Sequence, residues 1–138
     1  MKTKRRQQFG ALPFRKNRET VDVLLVTSRD TGRWVIPKGW PMRGKRPHRA
    51  AGIEAFEEAG VVGKPGKKPI GQYDYDKRVP GGAVPCRVVV FPLPVDELTE
   101  EWPEMEQRHR EWHAADRAAD LVAEPELQEL LRTIQTLL

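Results

Sequence analysis

A chain of 138 residues with 38% hydrophobic content suffices for one domain with a packed core and is too apolar for a disordered one. Its apolar runs fall far short of a membrane span, and none follows the basic start Lys2, Lys4, Arg5 and Arg6, so neither a spanning helix nor a secretory signal is expected. The lone Cys86 excludes an internal disulfide and reads as a small buried hydrophobe in a chain of the reducing cytoplasm.

The formal charge is +4, but it is unevenly spread. Residues 1–50 carry fourteen Lys and Arg against three Asp and Glu, whereas residues 51–138 carry ten against seventeen. A basic first third feeding a carboxylate-rich remainder suits a polyphosphate held on one side and metal on the other. The plainer alternative is a solvated surface that segregates by sign.

In chain order, Phe9–Phe14 predicts a strand, closed by a charged turn from Arg15 to Glu19. Val21–Ser28 is short, β-branched and apolar, the strongest strand signal in the chain. A turn at 29–32 leads to a short strand, Trp34–Ile36, stopped by Pro37. Pro47 suits the first position of a helix that runs to about Ala59, with Ala51, Ala55 and Ala59 on one face and Ile53 and Phe56 helping to fill the core. A loop spans 63–68. Ile70–Lys77 and Ala83–Leu93 form a strand pair joined by Pro80-Gly81-Gly82. The stretch 94–103 is acidic and irregular. A helical hairpin, Ala114–Val122 and Pro125–Leu137, closes the chain, with Leu127, Leu130, Leu131, Ile134 and Leu138 at helical spacing. Trp34 and Trp112 read as core aromatics. The expected architecture is α/β: an α/β/α sandwich of mixed sheet, one domain over residues 1–138, with the internal helix on one face and the C-terminal helix on the other.

The most informative stretch runs from Gly39 to Val61. Glu54, Glu57 and Glu58 share one helical face, where three carboxylates repel one another unless a cation sits between them. Hard divalent cations prefer such oxygen ligands. Gly60 ends the helix, as glycine at C′ commonly does. The preceding loop, Lys38-Gly39-Trp40-Pro41-Met42-Arg43-Gly44-Lys45-Arg46, is basic and glycine-containing. Trp40 reads as a structural aromatic beside a glycine turn, with base stacking as the rarer use. His48, His109 and His113 show no metal-ligand spacing.

At these residues the sequence resembles the Nudix hydrolases, whose box is G-x5-E-x7-R-E-U-x-E-E-x-G-U with U a bulky aliphatic. Gly39, Glu54, Glu57, Glu58, Gly60 and Val61 fall at the required positions. Lys45 replaces the first Glu, Ile53 the Arg, and Ala55 the usual larger aliphatic. The resemblance implies Mg²⁺, with Mn²⁺ as the alternative, on Glu54, Glu57 and Glu58, and Glu58 and Glu54 as catalytic carboxylates. It also implies substrate contacts from the loop, for which Lys38, Gly39, Arg43, Lys45 and Arg46 are the candidates. A further carboxylate from outside the box is expected among Glu101, Glu104 and Glu106. In the family the box Arg orients a catalytic Glu, which Ile53 cannot do.

A finer resemblance lies in Thr99–Trp112, with its acidic-Trp and Arg-Glu-Trp elements, and in Arg6–Arg15. Both are similar to the diphosphoinositol polyphosphate phosphohydrolase branch. The implied activity is hydrolysis of a phosphoanhydride in a highly phosphorylated small molecule, of dinucleoside polyphosphate or diphosphoinositol polyphosphate type. Two alternatives stand beside it. One is a Nudix-fold binding module without turnover, motivated by Ile53 and Lys45. The other is removal of pyrophosphate from an RNA 5′ end, which a pI near 9.4 permits but no aromatic RNA platform supports. The apolar C-terminal helix allows a monomer or a homodimer.

Overall fold

The structure, a computed structural model, describes residues 4–138. The elements are β1 (Arg6–Asn17), β2 (Thr20–Thr27), β3 (Trp34–Val35), β4 (Lys38–Gly39), α1 (Pro47–Ala59), β5 (Val61–Val62), β6 (Gly71–Val79), β7 (Gly82–Pro94), β8 (Glu97–Leu98), β9 (Arg110–Ala114), α2 (Ala115–Leu121) and α3 (Pro125–Leu137). The main sheet runs β3-β2-β1-β7-β6, with β4 added to β1 and β9 added to β2. Among the strand pairs of the described residues, β1–β7 is parallel, in register from Arg6↔Cys86 to Phe14↔Pro94, and the others are antiparallel, so the sheet is mixed. A small second pair, β5 with β8, ties the end of α1 to the acidic segment.

Strand β2 shows why the sequence folds as a sandwich. Successive side chains point to opposite faces. Val23 and Leu25 join a core beneath α2 and α3 that includes Leu12, Val88, Leu127, Leu131 and Ile134. Leu24 and Val26 join a second core beneath α1 that includes Phe9, Ala51, Ala55, Ala59 and Phe91. A strand covered on both faces needs an unbroken apolar run, which is what Val21–Val26 supplies apart from Asp22. Asp22 instead pairs with Arg15 at 3.2 Å across the β1–β2 hairpin.

Three local expectations are corrected. Strand β1 runs through the supposed charged turn to Asn17, and the chain reverses at Arg18, whose φ of 58° is left-handed. Ile53 and Phe56 do not fill the core: Ile53 is half-buried and Phe56 is 39% exposed. The alanine stripe sets the buried face, and at about 100° per residue Ile53 lies roughly 200° round the helix from Ala51. Finally, β9 lies in a stretch that the sequence left unassigned. It pairs with β2 from Asp22↔Ala114 to Val26↔Arg110 and seats Trp112 against the α1-side core, under the Arg15 guanidinium at 4.2 Å. Trp34 packs against the other core, and Cys86 is fully buried in β7. Of the basic N-terminal cluster, Lys2 lies outside the described residues, while Arg5 pairs with Asp74 at 3.2 Å.

Candidate active site

Helix α1 begins with Pro47 at its first turn and ends at Gly60, whose φ of 67° puts it in the left-handed region; its N–H donates to the Phe56 carbonyl at 2.9 Å. The last turn is clamped from outside. Trp102 donates from Nε1 to the Glu58 carbonyl at 2.9 Å, and Arg110 donates from Nη1 to the Ala59 carbonyl at 2.9 Å. Arg110 also lies over the Trp102 ring at 3.9 Å. Carbonyls at a helix C-terminus lack intrahelical donors and carry partial negative charge, so an indole N–H and a guanidinium are fitting partners. Segment 99–110 thereby fixes the turn that carries Glu57 and Glu58.

Above that turn lies a cleft of about 300 Å³. Its carboxylate side is built by Glu54 and Glu58 from α1 and Glu104 from the acidic segment. Glu58 is 4% exposed. It receives the backbone N–H of Lys38 at 3.4 Å and pairs with Arg108 at 3.5 Å. Burial lifts its carboxyl to about 8 despite Arg108 and Lys38, and a hydrogen bond shared with Glu54 adds to the rise. Glu54 is also held above the usual carboxylate range, first by burial and then by the negative charge of Glu57 and Glu104. Two carboxyls this close and this dry hold a proton between them. A divalent cation in the proton's place would let both ionise, so the chemistry of the pair fits a hard metal ion. Among the described residues, however, no three His, Cys, Asp or Glu side chains are disposed to hold one as they stand.

Strand β4 brings Lys38 and Gly39 to the cleft by pairing with Gly10 and Phe9 of β1. Burial pulls the Lys38 ammonium below its ordinary pKa, against the pull of Glu58, and the ammonium lies 5.0 Å from the Tyr75 ring centre. A Cβ at Gly39 would overlap the Glu54 carboxyl group and force that side chain to move. Trp40 lines the cleft with the Arg6 guanidinium over its ring at 4.4 Å.

The other candidates fall elsewhere. Glu57 lines a neighbouring apolar groove with Ile53, Phe56 and Pro103, and its carbonyl accepts the Glu104 N–H at 3.0 Å. Arg43, Lys45 and Arg46 are exposed on the loop before α1 and do not line the cleft. Of the three outlying carboxylates considered, Glu104 lines the cleft; Glu101 and Glu106 do not.

Sequence reasoning missed most of the cationic wall. Arg29 and Arg33 come from the β2–β3 turn, and Lys77 and Arg78 from the end of β6. Arg33 is held by buried Glu124 at 2.7 Å. Arg108 was missed too; it is 10% exposed and donates to Glu104 at 2.7 Å and to the Thr27 carbonyl at 3.0 Å. The only sequence signal for Arg108 was its place beside the Arg-Glu-Trp element.

Known proteins share this chain's family and fold. A family model for the NUDIX domain matches residues 4–134. The chain is 31% identical to Nudix hydrolase 18, mitochondrial, of Arabidopsis thaliana, over 92% of this chain and 74% of that protein. It is 34% identical to diphosphoinositol polyphosphate phosphohydrolase 3-alpha of Mus musculus, over 82% of this chain and 66% of that protein. In fold it resembles the C. elegans Ap4A hydrolase, with a TM-score of 0.68 at 18% identity, covering 96% of this chain and 98% of that one. A NUDIX hydrolase from Nitrosomonas europaea gives a TM-score of 0.71 at 16% identity, covering 96% and 90%. With a mixed sheet between helices and a carboxylate-bearing helix ending at Gly60, the chain belongs to the Nudix family of pyrophosphohydrolases, enzymes that act on acid anhydrides.

Proposed function

We propose that this chain is a Mg²⁺-dependent hydrolase, a single Nudix domain in the cytoplasm, that cuts a phosphoanhydride bond in a highly phosphorylated small molecule. Dinucleoside polyphosphates and diphosphoinositol polyphosphates are the substrate classes that fit best. One observation carries the reading: a single cleft sets the Glu54–Glu58 pair against the cations Arg29, Arg33, Lys38, Lys77 and Arg78. Cations in that number match several phosphates rather than one.

Glu54 and Glu58 would hold Mg²⁺, with Glu104 as the added carboxylate; Glu57, which lines the neighbouring groove, would have to turn toward the cleft to join them. Bound there, Mg²⁺ would neutralise phosphate charge and acidify a water molecule. Glu58, which a bound cation would keep ionised, would take the proton of the attacking water, assisted by Glu54. Lys38 and Gly39 border the reacting phosphate. The loop residues Arg43, Lys45 and Arg46 act on the substrate at longer range, through the field of the basic rim.

A phosphate and pyrophosphate release screen with Mg²⁺ or Mn²⁺ tests the proposal. Its panel holds dinucleoside polyphosphates, diphosphoinositol polyphosphates, nucleotide sugars, nucleoside triphosphates and triphosphate-ended RNA. Turnover that Glu58→Gln abolishes is the expected result. Ligand binding without turnover would support a non-catalytic module instead, a reading motivated by Ile53 and by the lack of three converging metal-ligand side chains among the described residues. Cleavage confined to RNA would move the substrate class to nucleic acid.

A further inference from the structure

We propose that Arg108, from outside α1, is the positioning residue for Glu58. The proposal rests on the reading of the cleft as a hydrolytic site. The two arginines on α1 and its N-cap, Arg46 and Arg49, are at its start, and Ile53 lines the neighbouring apolar groove. Arg108 approaches from the segment before β9 and spends its donors on three anchors. Nη2 lies 3.5 Å from Glu58 Oε1, Nε donates to Glu104 Oε1 at 2.7 Å, and Nη1 donates to the Thr27 carbonyl at 3.0 Å.

The geometry is fixed from behind. His109 donates its N–H to Thr27 Oγ1 at 2.8 Å, and the Thr27 N–H donates to the His109 carbonyl at 2.9 Å. Arg29 adds a hydrogen bond to Gln107 at 3.2 Å. The guanidinium is therefore a rigid planar fork, tied to the end of β2, with one prong on each of two cleft carboxylates. Lysine, with a point charge on a flexible stem, lacks the fork that reaches two carboxylates and a carbonyl from separate nitrogens. Arg108 is 10% exposed, so little of it remains free to bind substrate.

Arg108→Ala and Arg108→Lys test the assignment, with turnover measured on the substrate that the release screen identifies and Mn²⁺ affinity measured by electron paramagnetic resonance. Misplacing a reacting group by about an ångström costs on the order of 100-fold. The alanine variant is expected to lose about that much in kcat with KM little changed. Lysine should recover part of the loss, and added guanidinium ion should restore turnover to the alanine variant. The Mn²⁺ arm needs no turnover and has a decisive sign. Removing a cation beside a cation site strengthens Mn²⁺ binding by simple electrostatics, whereas loss of carboxylate positioning weakens it. Weaker Mn²⁺ binding in both variants, with unchanged melting, supports the proposal.

A raised KM with kcat intact would make Arg108 a substrate ligand and overturn it. So would activity loss that only tracks a lowered melting temperature and ignores guanidinium, or tighter Mn²⁺ binding. Absence of turnover in the parent protein would refute the hydrolytic reading alone, while the Mn²⁺ measurement still decides the positioning.

Discussion

Without metal, the protein should lose stability as the solution becomes alkaline, and Glu58 should be the reason. In the unfolded chain its carboxyl ionises near 4.5; in the fold, burial lifts it to about 8. Between those values the native state holds a proton that the unfolded state has released, so stability falls as pH rises. The contribution is fully present below about 4.5 and is lost through about 8. The slope approaches about 1.4 kcal/mol per pH unit, and over the window it sums to roughly 5 kcal/mol. A typical domain has about 5–15 kcal/mol in total, so the effect is large. Glu54 is raised as well and pulls in the same direction. Urea unfolding followed by tryptophan fluorescence, in EDTA from pH 5 to pH 9, would measure it. The parent should lose several kcal/mol relative to Glu58→Gln across this range. Added Mg²⁺ should restore alkaline stability, because a cation displaces the shared proton and binds only the folded state. Parallel pH curves for the parent and Glu58→Gln would refute the reasoning.

Three further outcomes are expected. Gly39→Ala forces a Cβ into the Glu54 carboxyl group, so it should cut kcat by about ten-fold or more and cost about 1–3 kcal/mol of stability, by steady-state kinetics and urea unfolding. Lys77→Ala with Arg78→Ala should raise KM several-fold and weaken its dependence on ionic strength, whereas the triple change of Arg43, Lys45 and Arg46 to Ala should move KM less, because those three are exposed outside the cleft. Leu131→Ala empties a fully buried site under the sheet and should cost about 2–5 kcal/mol in thermal or urea unfolding, with kcat per folded molecule unchanged.

What the sequence revealed was local. Gly39, Glu54, Glu57, Glu58 and Gly60 sit at fixed spacing on one loop and one helix, and helical periodicity carries such a pattern without reference to the rest of the chain. Strand β2 was legible for the same reason, as a short, β-branched, apolar run. What stayed hidden depends on partners distant in sequence. Strand β9 carries Arg110, Glu111 and His113, a polar pattern that becomes a strand only because β2 offers it an edge. Arg108 reaches the Thr27 carbonyl across 81 positions, a contact that no local window contains. The four cations Arg29, Arg33, Lys77 and Arg78 read as ordinary turn and strand-end charge until the sheet brings the two turns to one cleft. Lys45, at a box position in sequence, is exposed on the loop and does not line the cleft.

In the proposed reaction water, with Glu58 as its base, cuts a phosphoanhydride in this cleft. Hydrolysis of a dinucleoside polyphosphate and of a diphosphoinositol polyphosphate in ¹⁸O-labelled water with Mg²⁺, read by mass spectrometry, tests it most directly. The parent protein should place one ¹⁸O in a single phosphate product per cleavage of at least one of the two substrates, and Glu58→Gln should give no labelled product. Undiminished labelling by Glu58→Gln, or no cleavage of either substrate by folded parent protein that binds Mg²⁺, would contradict it.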